Sequence, residues 1–143
     1  MQLCQLTASL SVSPQLDVAD IEQIIAAGIK TVICNRPDNE GEDQPESALI
    51  REACEAHGIS LHYLPVNPKE FTDQQGIEFG QLLESLESPV LAYCRTGTRC
   101  TNLWALSAVG KLSLDEILST AKDAGYDVSK LSERITALAK LQQ

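Results

Sequence analysis

The chain has 143 residues, 43% of them apolar and only 4% aromatic, so residues 1–143 are expected to form one domain with an aliphatic core. Its net charge of −9 argues against binding to nucleic acid or to an anionic membrane, because both depend on basic surfaces. An anionic substrate would therefore need a local positive site in a chain that is otherwise acidic.

The first third of the chain alternates strand and helix patterns. Residues 6–12 predict an opening strand or a short hairpin. Asp17 is expected to cap a helix whose apolar residues recur at helical spacing and which stops at Gly28. Residues 29–34 are rich in β-branched side chains and predict a buried strand, and the polar residues 35–44 predict a loop at its carboxyl end.

The middle of the chain repeats this alternation. Pro45 is expected to open a helix that ends near Gly58, because proline is favoured in the first helical turn. Residues 59–66 predict a strand whose last residues leave the ladder at Pro65. Thr72, with a glutamine three residues later, has the spelling of a capping box and predicts the start of the next helix.

The last third of the chain predicts one strand and three helices. The apolar run after Pro89 is too short for a helix, so it predicts a buried strand that ends at Cys94. Helices are predicted over residues 101–109, 114–124 and from residue 131 onward, the second of them behind a capping box at Ser113.

The order of these elements predicts the fold. Strands that alternate with helices imply an α/β domain with a mostly parallel central sheet of four or five strands and helices on both faces, because parallel strands need long crossovers. Active sites of such sheets lie at the carboxyl ends of the strands. Cys34, Asn67 and Cys94 all fall there, so we expect the chemistry at this edge.

The turn from Cys94 to Arg99 predicts a reactive site. A strand, a tight turn and a helix would leave the N–H groups of residues 95–99 free to point at one spot above the Cys94 sulfur, and such a turn binds anions. The helix dipole and two guanidinium groups are expected to lower the pKa of the Cys94 thiol and make it a nucleophile. Gly97 allows the conformation of the turn, and Arg99 can grip a tetrahedral oxyanion with two hydrogen bonds.

A buried core cysteine in front of a solvated loop is the alternative interpretation, since free cysteine is among the most buried residue types. We favour the catalytic interpretation, because a cysteine, a glycine and an arginine share one strand-to-helix turn. Within that turn, the expected substrate-binding residues are Arg95, Thr96, Gly97 and Thr98.

The turn resembles the active-site loops of two known families. A cysteine that closes a strand and an arginine that opens the next helix are similar to the loop of cysteine-dependent phosphatases of the protein-tyrosine and dual-specificity type, although four residues separate Cys94 from Arg99 where that signature has five. The Cys-Arg-x-Gly-x-Arg spelling resembles instead the loop of rhodanese-type sulfurtransferases, which cradles a persulfide sulfur. The whole chain, including residues 35–38 and 93–97, most resembles the bacterial phosphatase-like domain of the beta-lactamase hydrolase-like protein family, found alone or fused to metallo-β-lactamase-type hydrolases.

That resemblance implies one phosphatase-like domain over residues 1–143 and a phosphatase-like hydrolase, in which Cys94 attacks phosphorus while Arg99 and the loop amides stabilise the oxygens. A rhodanese-type sulfurtransferase that carries a persulfide on Cys94 is the first alternative, and an inactive anion-binding or interaction module is the second. The two enzymes would take a small anionic substrate, a phosphate ester or a sulfane sulfur donor. Neither a cofactor nor a metal is expected.

The sequence does not identify a general acid. Phosphatases of the type resembled use an aspartic acid on the loop after the strand that precedes the cysteine loop, and this chain has Asn67 there. Without that aspartic acid a phosphatase would be slow, since general acid catalysis contributes about 10²–10⁴-fold to the rate. Sulfur transfer needs no such acid. Asp38 could be a general acid or could hold an arginine in place, either Arg36 or Arg99, and a rigid turn with solvated charges is the alternative. Arg36 is a further candidate for substrate binding.

The five cysteines, an odd number without paired spacing, argue against a secreted disulfide framework and a structural zinc site. The chain has no signal-peptide pattern, in which a basic segment precedes an apolar one, and no run of 18 apolar residues. We therefore expect a soluble cytoplasmic protein.

Cys34 closes its strand as Cys94 does, and some phosphatases of the resembled superfamily use such a cysteine to trap the oxidised nucleophile. Cys34 is therefore a candidate redox partner, with Cys100 as the competitor and a small core residue as the simpler interpretation.

Overall fold

The computed structural model describes residues 2–142 and places five short strands in one central sheet. The strands are β1 (Cys4–Gln5), β2 (Leu10–Ser13), β3 (Thr31–Cys34), β4 (Ser60–Tyr63) and β5 (Val90–Tyr93). Their order across the sheet is β1-β2-β5-β3-β4, and only the β1–β2 pair is antiparallel. The predicted α/β fold with a mostly parallel sheet is confirmed, and the opening segment is the short hairpin β1–β2.

Helices cover both faces of the sheet, as predicted. Within residues 2–142 they are α1 (Ile21–Ala26), α2 (Ser47–Glu55), α3 (Asp73–Ser85), α4 (Thr98–Ser107), α5 (Leu114–Asp123) and α6 (Ser132–Leu141). The first two pack on one face and the other four on the opposite face. Short 3-10 turns precede α1 and α6. None of these helices combines the length and the apolar character needed to span a bilayer.

Strand β5 lies at the centre of the sheet because its side chains are apolar on both faces. Leu91 and Tyr93 belong to the core under α1 and α2, whereas Val90 and Ala92 belong to the core under α3 to α6. β5 lies between β2 and β3, and its last residue is level with Cys34 of β3. The residue after β5 therefore enters the middle of the carboxyl edge.

Three predicted helix starts are confirmed by side-chain caps. Thr72 and Ser113 each accept a hydrogen bond from the backbone N–H three residues later, and a glutamine or glutamate returns the bond. Asp17 caps the 3-10 turn before α1 in the same way. These caps satisfy backbone donors that have no partner inside the helix, so the local sequence fixes where each element begins.

Two predicted starts are wrong. Helix α2 begins at Ser47 rather than at Pro45, because the carboxylate of Asp38, in the preceding loop, accepts the N–H of Ser47 and ends the loop there. Helix α4 begins at Thr98, three residues before the predicted start. The turn at the cysteine is therefore shorter than the sequence suggested, and Arg99 lies in the first turn of α4.

Helix α3 lies flush against α4, which fixes the position of the loop at the start of α4. A side chain at Gly76 would collide with Leu106, and a Cβ atom at Gly80 would lie 2.8 Å from the Cβ of Ser107. The two glycines thus let the helix backbones approach, although each costs roughly 1 kcal/mol in a helix interior.

Candidate active site

The site is the turn between β5 and α4 at the centre of the carboxyl edge. Cys94 follows the last residue of β5 and is buried, with 1% of its surface exposed. Gly97 is the N-cap of α4 and has φ = 91°, a left-handed conformation that favours glycine. The turn thus closes within four residues and directs the first N–H groups of α4 back towards the sulfur.

Hydrogen bonds activate the Cys94 thiol. The N–H of Gly97 donates to Sγ of Cys94 over 3.1 Å. A hydrogen bond with the Cys100 thiol is the largest influence on the pKa of Cys94, and backbone N–H groups of Cys100, Thr96 and Gly97 add to it. They outweigh burial, which raises the pKa, and lower it to about 5. A thiol with so low a pKa favours the ionised form at neutral pH, and the thiolate is the form in which cysteine can act as a nucleophile.

The loop amides do not all converge on the sulfur, which corrects the expectation for residues 95–99. The N–H of Thr98 donates to Oγ1 of Thr96 over 3.4 Å, and the two threonine hydroxyls are joined by a 3.0 Å hydrogen bond. This short side-chain bridge closes the exposed rim of the turn. The side chains of Thr96 and Thr98 therefore shape the rim of the loop, whereas the N–H groups of Thr96, Gly97 and Cys100 face the Cys94 sulfur.

Arg99 is held rigidly beside the turn. It is buried, its Nη1 donates to the carbonyl oxygen of Asn35 over 3.3 Å, and its Nη2 donates to Oε1 of Glu40 over 3.0 Å. Its Nε is buried and has no hydrogen-bond partner among residues 2–142. Because a buried donor without a partner costs free energy, this N–H is suited to an anion bound in the loop.

Glu40 is the acidic residue that orients the arginines, a role that the sequence did not assign to it. The same Oε1 atom accepts a hydrogen bond from Nε of Arg36 over 3.0 Å and from Arg99. Burial raises the pKa of Glu40, but the hydrogen bonds to Arg99 and Arg36 outweigh it and lower the pKa. Nη1 of Arg36 donates to Oε1 of Gln15 over 3.0 Å, so Arg36 links Glu40 to the segment after β2.

Asp38 has a different place from the one expected. Its carboxylate accepts hydrogen bonds from the N–H and the hydroxyl of Ser47, over 2.7 and 2.8 Å. Its own N–H donates to the Tyr63 hydroxyl over 2.9 Å. Asp38 therefore caps α2 and does not line the cavity in front of Cys94. In this arrangement it holds neither Arg36 nor Arg99, a task that falls to Glu40.

An open cavity of about 640 Å³ lies in front of the sulfur, a size typical of small-molecule sites. The residues that line it are Pro37, Glu40, Asn67, Pro68, Lys69, Cys94, Arg95, Thr96, Thr98, Arg99 and Asn102. Arg95, a predicted substrate-binding residue, is exposed at its rim, and Lys69, which was not predicted, adds a third cation to Arg95 and Arg99. Arg36 is absent from this lining, so it does not reach an anion in the cavity directly.

Asn67 lines the cavity at the position where the resembled phosphatases have an aspartic acid. Its Oδ1 accepts the N–H of Lys69 over 2.9 Å and so stabilises the turn after β4. Glu40 is the carboxylate that lines the cavity, and its lowered pKa keeps it ionised. Neither side chain offers a proton to a leaving group near neutral pH.

The two candidate redox partners are placed differently around Cys94. The Cys100 thiol contacts the Cys94 sulfur from α4 and is fully buried. Cys34 is level with Tyr93 and belongs to the core on the opposite face of the sheet. Its thiol donates to the carbonyl oxygen of Arg36 over 3.3 Å. All five cysteines are free, and the placement favours Cys100 over Cys34 as a partner.

The chain offers no evident metal site in its described part. Within residues 2–142, no three side chains of histidine, cysteine, aspartate or glutamate are grouped so that they could hold a metal ion. The arrangement that is present, a thiolate at the base of a cavity with N–H groups and a guanidinium above it, suits nucleophilic attack on an anionic substrate.

A sequence profile of one known family matches most of the chain. The family is described as beta-lactamase hydrolase-like protein, phosphatase-like domain, and the match covers residues 2–111. A beta-lactamase hydrolase-like protein of Agrobacterium fabrum is 29% identical over 130 residues, which are 90% of this chain and 30% of the relative. The chain thus spans about a third of the length of the curated relatives it matches.

Solved structures share the fold. The structure of a candidate phosphatase from Neisseria meningitidis has a TM-score of 0.88 and 43% sequence identity, and the comparison covers 96% of this chain and 99% of the other. TpbA of P. aeruginosa, solved in complex with pTyr, has a TM-score of 0.70 and 15% identity, with 97% of this chain and 88% of TpbA covered. The likeness to TpbA concerns the fold alone.

Proposed function

The chain belongs to the phosphatase-like domain family of beta-lactamase hydrolase-like proteins, and from this membership we propose that it hydrolyses small phosphate esters through a phosphocysteine on Cys94. The observation that carries the proposal is the Cys94 sulfur itself. It is buried at the base of a cavity of about 640 Å³, it accepts hydrogen bonds from backbone N–H groups, and its pKa is lowered to about 5. A structural cysteine in an apolar core would have a raised pKa.

In the proposed reaction the Cys94 thiolate attacks phosphorus, and the bond from phosphorus to the leaving oxygen breaks. The phosphoryl group is then on sulfur and the alcohol has left. Water attacks the phosphocysteine, inorganic phosphate is released, and the thiolate is restored. In this proposal, charge on the equatorial oxygens is stabilised by Nε of Arg99, which has no other partner among residues 2–142, and by the N–H groups of Thr96, Gly97 and Cys100 beside the sulfur.

The proposed site lacks a side chain that would protonate the leaving oxygen. Asn67 has no proton of suitable acidity, and Glu40 is held ionised by two arginines. The leaving oxygen must then take its proton from water, which favours esters of acidic alcohols such as aryl phosphates. Phosphotyrosine is an ester of this kind, and its presence in the TpbA structure makes it a suitable first substrate.

Sulfur transfer is the second candidate function, because four residues separate Cys94 from Arg99 and no acid is needed for it. In that case Cys94 would attack the outer sulfur of thiosulfate, and sulfite would leave. The same thiolate and the same N–H groups would stabilise the persulfide.

One mass-spectrometric experiment decides between these functions. The intact protein is incubated with para-nitrophenyl phosphate and, separately, with thiosulfate, and the Cys94→Ser variant serves as the control for each. In samples quenched during turnover, we expect an adduct with the mass of a phosphoryl group on the Cys94 peptide, together with steady release of nitrophenol. An adduct of one sulfur atom instead would replace the proposal by sulfur transfer, and neither adduct would leave a binding module.

A further inference from the structure

Tyr126 reaches the cysteine loop from a distant part of the chain. It follows α5 and lies beyond residues 2–111, the part that the family profile matches. Its hydroxyl donates a 3.0 Å hydrogen bond to the carbonyl oxygen of Thr96. Its ring is half-buried and packs against the edge of the apolar core beneath the loop.

The carbonyl that Tyr126 binds belongs to the same peptide group as the N–H of Gly97. This group is planar, and in a trans peptide the C=O and N–H bonds point in opposite directions. The N–H of Gly97 donates to the Cys94 sulfur over 3.1 Å. One peptide plane is therefore held at both ends, its oxygen by the Tyr126 hydroxyl and its hydrogen by the nucleophile.

The peptide needs such a tether because glycine follows it. Gly97 has φ = 91° and no side chain that would restrict rotation about its backbone bonds. A Cβ atom at this position would collide with the Tyr126 hydroxyl, so the glycine also leaves the space that the hydroxyl occupies. Gly97 thus leaves room for the Tyr126 hydroxyl, and the hydrogen bond from that hydroxyl restricts the backbone rotation that glycine permits.

The Tyr126 hydroxyl remains a donor throughout the pH range of interest. Burial, and after it the neighbouring Cys4 and Cys94 side chains, raise the pKa of Tyr126. A hydroxyl that stays protonated keeps its hydrogen bond to Thr96 when Cys94 ionises.

We propose that Tyr126 is a positioning residue, which orients the peptide between Thr96 and Gly97 so that its N–H faces the Cys94 sulfur and an anion bound above it. Without the hydroxyl, the peptide can rotate, and the thiolate loses one hydrogen bond to a charged acceptor. The catalytic consequence rests on the proposed function, whereas the effect on the thiolate does not.

The Tyr126→Phe variant tests this proposal, because it removes the hydroxyl and keeps the ring. The rate of iodoacetamide alkylation at the Cys94 peptide is followed by mass spectrometry against pH, which gives the pKa of this thiol among the five. We expect the pKa to rise by about one unit, the value of one hydrogen bond to a charged sulfur. Tyr63→Phe is the matched control, since its hydroxyl binds the neighbouring loop, and it should leave the Cys94 pKa unchanged.

A second measurement makes the result independent of any loss of stability. In the folded protein the amide resonance of Gly97 should move with the ionisation of Cys94, and in Tyr126→Phe this movement should be lost or reduced. A Cys94 pKa and a Gly97 titration that match those of the unaltered protein would overturn the role of Tyr126 and leave the proposed function intact. An ordinary pKa of Cys94 in the unaltered protein would instead overturn the proposed function.

Discussion

Replacing Cys94 with serine tests whether folding favours the thiolate. The Cys94 thiol is buried, and its hydrogen bonds with Cys100 and with backbone N–H groups lower its pKa to about 5. In the unfolded chain the same thiol returns to its ordinary pKa of about 8.5. The ionised sulfur is therefore more stable in the folded protein, and a serine hydroxyl, which does not ionise in this range, removes that contribution.

The sign of the pH dependence follows from these two pKa values. Because the folded pKa is below the unfolded one, the stabilisation is complete above about pH 8.5 and is lost as the pH falls through about 5. Between these two pKa values, each pH unit changes the free energy of unfolding by about 1.4 kcal/mol. The free energy of unfolding of the unaltered protein, relative to that of Cys94→Ser, should therefore rise by about 2 kcal/mol from pH 5 to pH 7.

Urea unfolding at about pH 5, 6 and 7 measures this difference. Trp104, the single tryptophan, is buried on α4 near the loop and reports unfolding by its fluorescence. Cys54→Ser is the matched control, because burial raises the pKa of this free cysteine on α2 to about 11, so its effect should not depend on pH in this range. Parallel stability curves for the unaltered protein and Cys94→Ser would refute the reasoning.

Two further predictions concern the surroundings of the thiolate. Glu40→Gln keeps the shape of the side chain but leaves two buried guanidinium groups without their counter-charge, so the free energy of unfolding should fall by about 2 kcal/mol at neutral pH. The pKa of Glu40 is lowered in the folded protein, so this loss of unfolding free energy should shrink as the pH falls through that pKa. An equal loss in urea titrations at neutral and at strongly acidic pH would contradict the pairing of Glu40 with Arg36 and Arg99. A modest excess of hydrogen peroxide should oxidise Cys94 to a sulfenic acid, which the adjacent Cys100 thiol then converts to a disulfide with release of water. Peptide mapping that finds Cys94 joined to Cys34 would contradict this choice of partner, and Cys94 as a sulfinic acid with the other thiols free would exclude a resolving thiol.

The features that the sequence predicted correctly depend on local interactions. The strand before Cys94 is apolar on both faces, and the helix caps at Thr72 and Ser113 bind backbone groups three residues away. The turn at Cys94 is equally local, because a strand, a glycine with positive φ and a helix follow each other within a few residues. Such patterns carry their own geometry, so the position of Cys94 at the carboxyl edge of the sheet followed from residue order alone.

The partners of Asp38 and Glu40 depend instead on the path of the long loop between β3 and α2. Asp38 and Glu40 are two residues apart, and either could have faced the arginines. The fold turns Asp38 towards Ser47 at the start of α2 and leaves Glu40 above Arg99. The spacing of Arg36 and Glu40 indicates an ion pair only in a helix, and this segment is not helical, so their pairing could not be predicted from residue order.

The proposed anion site lies in an acidic chain, so it depends on nearby donor groups that are held in fixed positions. Backbone N–H groups carry no net charge, and Glu40 offsets the charge of Arg36 and Arg99 while it occupies one edge of each guanidinium group. Arg99 is therefore already oriented, so little conformational entropy would be lost if it bound an anionic substrate. The same carboxylate, held ionised for this task, cannot serve as a general acid. Orientation of the loop and protonation of a leaving group thus make opposite demands on Glu40, and the geometry meets the first.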